Sequence, residues 1–191
     1  WEFLTEILKL TKEKLYVTVF GGDEGFEKDS ETIEIWKSIG VPDDHIFEYG
    51  ANKNWWSRSG SPSEMPLGEP GGPDSEVFYE FTHIEHNKKF GEKCHPNCDC
   101  GRFIEIGNNV FMTYKKVSNE KIAAKGFIPL SKRNIDFGGG LERTLAAINN
   151  DPDIFKTDCY TPLIKQLEER LKQKYESNIE LTKSLRIIAD H

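Results

Sequence analysis

Two stretches of the chain hold residue types whose spacing suits chemistry. The first is Asp136-Phe137-Gly138-Gly139-Gly140-Leu141-Glu142-Arg143, a carboxylate followed by three glycines and an arginine. Glycine lacks a Cβ and tolerates positive φ, so a flat ring such as a purine can lie almost against the main chain there. Leu141, Leu145 and Ile148 then recur at helical spacing, which sets Gly140 near a helix N-terminus whose free N–H groups favour phosphate oxygens. Arg143 falls in the first turn, against the acidic preference of such positions, and suits stacking on a base or contact with a polyphosphate. The plainer reading of the same run is a strand-to-helix turn with a surface arginine.

The second stretch is Cys94-x3-Cys98-x-Cys100, with His95 inside it and His83 and His86 just upstream. Three soft ligands plus one of these histidines complete a tetrahedron of the kind that holds zinc. The alternative is a set of free thiols in a surface loop rich in turn formers (Pro96, Asn97, Asp99, Gly101). Disulfides are not expected in a chain of this size and character.

The elements that must position these groups follow from periodicity. Leu15 to Phe20 is β-branched and aromatic and stops at Gly21-Gly22, which predicts a strand. Thr32 to Ile39 predicts a short helix ended by Gly40, Ile46 to Tyr49 a short strand, and Trp1 to Leu10 the end of a helix. Ser57 to Gly72 reads as a polar loop, Gly72-Pro73-Asp74-Ser75-Glu76 as a turn, and Val77 to Phe81 as a strand. Arg102 to Tyr114 is the strongest strand. Its alternation puts Ile104, Ile106, Asn108, Val110 and Met112 on one face and Glu105 on the other. Lys115 to Lys125 reads as a charged hairpin tip. Pro162 starts a helix with Thr161 as its expected cap, and its stripe is Leu163, Ile164, Leu167, Leu171 and Tyr175.

Composition narrows the function classes. The 191 residues carry a net charge of −7 and are 37% hydrophobic, enough for one sizeable domain with an appendage. The negative balance speaks against broad electrostatic grip on nucleic acid by this chain alone. No apolar run is long enough for a membrane span, and no signal-peptide pattern is present, so the expectation is a cytoplasmic protein without a membrane partner.

Taken together, Asn54-Trp55-Trp56, Gly72-Pro73-x-Ser75-Glu76, Ile104-Glu105-Ile106-x-Asn108-x-Val110-Phe111-Met112 and Asp136-x-Gly138-x-Gly140-Leu141-Glu142-Arg143 resemble, in this order, the catalytic domain of alanyl-tRNA synthetases. The last run looks like motif 3 of class II aminoacyl-tRNA synthetases. The resemblance implies an α+β fold, an antiparallel sheet flanked by helices that binds ATP and amino acid on one face. It implies a catalytic core over residues 1–160 and the start of a following helical region over 161–191, with motifs 1 and 2 preceding Trp1 in a longer protein.

By the same resemblance Asp136 and Arg143 are the catalytic residues. Asp136 holds the alanine ammonium, Trp56, Asn108, Val110 and Gly138 form the alanine pocket, and Gly138, Gly140 and Arg143 border ATP. Mg2+ accompanies ATP, and tRNA(Ala) is engaged mainly by regions outside this chain. Three positions depart from the family pattern: Gly107, Phe137 and Gly139 stand where tryptophan, a small hydroxyl residue and methionine are usual. The function expected is part of an alanine–tRNA ligase, with a non-catalytic ATP- and amino-acid-binding module or paralogue as the alternative. A stand-alone editing hydrolase fits least, because His83-x2-His86 has the wrong spacing for a helical metal pair.

Overall fold

The computed structural model describes residues 1–191. The chain divides into two compact units, Trp1–Gly140 and Leu141–His191. The first opens with a short π-helical turn at Phe3–Ile7 and is otherwise organised by a six-stranded sheet. Its strands are β1 (Leu15–Phe20), β2 (Ile46–Tyr49), β3 (Trp55–Trp56), β4 (Pro70–Glu80), β5 (Phe103–Lys116) and β6 (Phe127–Gly138), in the order β2-β1-β4-β5-β6 with β3 paired to β4. All pairs are antiparallel except β1 with β2, which are joined through helix α1 (Ser30–Ser38). Helix α2 (Ala51–Asn54) is a single turn before β3.

The mixed composition of β1 shows how the sheet is covered. Leu15, Val17 and Val19 are fully buried on the face that α1 packs against. There Trp36 of α1 donates from Nε1 to Ser75 Oγ of β4 at 2.8 Å. Asp29 caps α1 by accepting from the Thr32 amide, so the helix begins earlier than its apolar pattern suggests. On the other face Phe20 joins Ala51, Trp55 and Met65 in an aromatic cluster with Phe26, Tyr114 and Phe127.

Two expectations for β4 and β5 are corrected. The Gly72-to-Glu76 stretch is not a turn: β4 already runs from Pro70, with Trp56 opposite Gly72 on one side and β5 on the other. Gly72 is needed there, since a Cβ would meet Phe111 O at 2.0 Å, so only a residue without a side chain lets the backbones approach. In β5 strict alternation fails, because Val77 pairs with Gly107 while Phe78 pairs with Glu105, leaving Ile106 as an extra residue in a bulge. Lys116, expected in a charged tip, ends β5 buried, with its Nζ donating to the Pro62 and Ser63 carbonyls.

The second unit consists of α3 (Leu141–Asn149), α4 (Thr161–Leu171) and α5 (Ile179–Asp190). Ile164, Leu185 and Ala189 form its core with Phe155, Tyr160, Leu167, Tyr175 and Leu181. Thr161 does not cap α4. It is the first helical residue, and its hydroxyl donates to the Lys156 and Thr157 carbonyls. Asp153 is held by Tyr175 Oη (2.8 Å) and Arg186 (2.9 Å), which pairs a nearly buried carboxylate with two donors.

Candidate functional site

The expected pocket residues meet through strand register. Asp74 of β4 pairs with Val110 of β5, and Val110 with Asp136 of β6. In the next row Glu76 pairs with Asn108 and Asn108 with Gly138. Directly opposed residues point to the same side of a sheet, so Asp74, Glu76, Asn108, Val110 and Asp136 share one face. Asn108, Val110, Asp136 and Gly138 thus lie in neighbouring rows of one sheet face. The bulge at Ile106 returns Glu105, opposite Phe78, to this same face. The expectation that Glu105 points away is overturned, because alternation holds only while both strands advance by equal numbers of residues.

A polar network lies under these rows. Asp74, only 4% exposed, accepts from Asn108 Nδ2 and from Asn54 Nδ2, both at 3.1 Å. Asn54 Nδ2 also donates to Thr18 Oγ1 (2.8 Å), whose hydroxyl donates to Glu76 Oε2 (2.9 Å). Burial pushes the Asp74 carboxyl up to about 6, although the bonds from Asn108 and Asn54 act to lower it. Burial, then the negative charge of Asp74, pushes Glu76 up to about 7. The side-chain oxygens of Asn54 and Asn108 are buried and have no hydrogen-bond partner. Asp136 by contrast is exposed, and its Oδ1 accepts from the Phe137 amide at 2.9 Å.

Sequence reasoning did not join Asp74, Glu76, Thr18 and Asn54 into this network. A polar Thr18 in an otherwise apolar strand was the available signal; reading residues 72–76 as a turn hid the two acids.

The remaining assigned residues fall elsewhere. Trp56 is half-buried on β3 and pairs with Gly72, while Trp55 is the one that enters the aromatic cluster. Gly138 closes β6 and Gly140 directly precedes α3, whose first turn carries Arg143 in the second unit. Neither Gly138 nor Gly139 has positive φ, so their contribution is the missing Cβ rather than a left-handed turn. A groove of about 660 Å³ lined by Glu24, Ser63, Lys116 and Ile122 shares no residue with these rows.

The cysteine loop gathers into a cluster of its own. Cys94, Cys98, Cys100 and His86 bring their ligand atoms within 4.8 Å of one another. Cys94 Sγ and Cys100 Sγ are 3.5 Å apart, and Cys98 Sγ lies 3.7 Å from His86 Nδ1. A tetrahedral zinc centre separates its ligand atoms by roughly 3.3–3.8 Å, so these spacings suit such an ion. His86 Nε2 contacts the Gly91 carbonyl at 2.8 Å, the outer bond that leaves Nδ1 free to ligate. His95 lies outside this set: its ring nitrogens are not among the clustered ligand atoms, and its Nδ1 bonds Tyr49 Oη at 2.7 Å instead. Burial acts to raise Cys100, but hydrogen bonds from His86, the Arg102 backbone and the other two thiols bring it down to about 6. Burial and the neighbouring Cys100 push Cys94 up. No disulfide joins the cysteines.

A sheet of this topology, carrying a glycine-terminated final strand and a carboxylate beside a polar row, defines a class: the chain belongs to the family of tRNA synthetases class II (A), whose profile matches residues 1–191. The full chain is 37% identical to an alanine–tRNA ligase of Borrelia hermsii and 38% identical to that of Treponema denticola, covering 30% of each. It is 39% identical to the alanine–tRNA ligase of Thermotoga maritima, covering 20% of it. The chain therefore spans less than a third of the length of these relatives. No helix is long and apolar enough to cross a membrane.

Proposed function

We propose that this chain is part of an alanine–tRNA ligase, contributing the amino-acid side of a site that activates alanine with ATP to alanyl-adenylate and transfers it to tRNA(Ala). The observation that carries the reading is the pair of rows Asp74–Val110–Asp136 and Glu76–Asn108–Gly138 on one sheet face. A carboxylate beside a β-branched wall suits a small amino acid, with Asp136 taking the ammonium and Val110 limiting the side chain to about a methyl group. Gly138, Gly140 and Arg143 are assigned to ATP on the sequence motif, and Trp56 to the pocket rim. Mg2+ enters with the nucleotide, and no residue is assigned to it. Catalysis in such a site is orientation and charge neutralisation, without a covalent enzyme intermediate.

Residues 1–160 are read as the C-terminal part of the catalytic core and 161–191 as the start of the next helical region. The tRNA is held mainly by sequence beyond this acidic chain, and the setting is cytoplasmic. Cys94, Cys98, Cys100 and His86 are proposed as ligands of a structural zinc ion, which would tie the 86–100 loop to the start of β5.

The test is alanine-dependent pyrophosphate exchange by the full-length protein carrying this chain, with Asp136→Asn beside it. Asp136→Asn removes the charge facing the ammonium and keeps the shape, so the variant should lose alanine affinity while ATP affinity holds. Equal losses for both ligands would remove Asp136 from the ammonium. ATP binding with no exchange would leave the non-catalytic module as the better reading.

A further inference from the structure

Asp74 reaches the polar row from β4, and what it does there follows from donor and acceptor chemistry. An ionised carboxylate only accepts hydrogen bonds, so the Asn108 atom 3.1 Å from Asp74 Oδ2 must be the NH2 group. That leaves the Asn108 oxygen turned away from the carboxylate, buried and without any partner in the protein. A buried acceptor left unpaired is costly, and a ligand N–H is what would satisfy it. Asn54 stands differently: its NH2 serves Thr18 Oγ1 as well as Asp74, so two acceptors hold it. Of the two amides, only Asn108 depends on Asp74 alone for its orientation.

We propose that Asp74 is a positioning residue that sets ligand selectivity: by holding the Asn108 NH2 it presents the Asn108 oxygen as an acceptor, so that the site takes a small primary ammonium in preference to the α-hydroxy acid of the same shape. An ammonium carries three donors, enough for Asp136 and for this oxygen, whereas a hydroxyl carries one. The proposal rests on the reading of this face as an amino-acid site.

The experiment is calorimetric titration of the full-length protein with alanine, lactate and ATP, comparing Asp74→Asn, Asp74→Leu, Asp136→Asn and Asn108→Leu with the wild type. In Asp74→Asn the new amide keeps its oxygen toward the doubly held Asn54 and offers its NH2 to Asn108, which reverses the Asn108 amide. Alanine should bind at least about tenfold more weakly, one lost hydrogen bond to a charged group, with ATP unchanged within twofold and the alanine-over-lactate ratio reduced. Asp74→Leu releases Asn108 and should lower the same ratio. A merely structural Asp74 would weaken all ligands together and leave that ratio alone. Alanine affinity and selectivity equal to wild type in a folded Asp74 variant overturn the proposal. Alanine binding that survives both Asp136→Asn and Asn108→Leu overturns the amino-acid site itself, and the proposal with it.

Discussion

The ring of Phe137 occupies the space that a side chain at residue 107 would need: a Cβ on Gly107 would lie 2.8 Å from Phe137 Cε2 and 2.9 Å from Cζ. A Cβ on Gly139 would meet the same ring at 3.0 Å. Gly107, Phe137 and Gly139 therefore form one packing unit, an aromatic ring laid over two glycines of adjacent chain segments. Phe137 pairs with Asn109, so the unit lies on the face opposite Asn108 and Asp136.

Exchanging these residues should show coupling. Gly107→Trp alone must push the ring aside, and Phe137→Ser alone uncovers the glycines; together they should recover about 1 kcal/mol or more in a double-mutant cycle read by urea unfolding. Additive effects would mean that the ring, already 63% exposed, does not depend on the glycines.

Gly72 and Gly138 should respond oppositely to alanine. At Gly72 the added Cβ would strike the Phe111 carbonyl at 2.0 Å and the Thr113 nitrogen at 2.9 Å, both backbone atoms. Gly72→Ala should cost more than about 3 kcal/mol or prevent folding. At Gly138 nothing lies within 4 Å and φ is not positive, so Gly138→Ala should leave stability within about 0.5 kcal/mol. If Gly138 borders ATP, the same variant weakens ATP binding; an unchanged affinity would detach it from the nucleotide.

Purified protein should contain one zinc ion per chain by elemental analysis. His86→Ala should lose it, and His95→Ala should retain it, because only the His86 ring stands among the clustered ligand atoms. Equal zinc in wild type and His86→Ala, or none in either with every thiol titratable, would rule the centre out.

Acid should favour the sheet through Asp74 and Glu76. Their folded pKa values, about 6 and about 7, lie above the ordinary 3.8 and 4.5, with burial as the leading cause and the charge of Glu105 adding to both. An acid raised on folding contributes stability that is fully present below its unfolded pKa and lost as pH climbs through its folded pKa. Glu76→Gln should therefore gain on the wild type between about pH 4.5 and pH 8, by up to about 2 kcal/mol. A wild-type-minus-variant difference that stays flat over this range would show that Glu76 is not desolvated.

The sequence by itself determined the local elements and the chemistry available. β1 and β2 follow from their own β-branched and aromatic runs, the helix after Gly140 from apolar spacing, and the metal-capable loop from its thiols. These are properties of neighbours along the chain. Only the tertiary structure decided which of three histidines joins the thiols, which tryptophan enters the core, and which face Glu105 takes. It also decided that a glycine- and proline-rich stretch extends as β4, because β3 and β5 supply partners on both sides of it. Each of these depends on register between strands distant in sequence, where one extra residue such as Ile106 reverses the side to which the residues before it point. The burial of Asp74 depends on the same register, since Asn54, Thr18 and Asn108 reach it and its neighbour Glu76 from three separate elements.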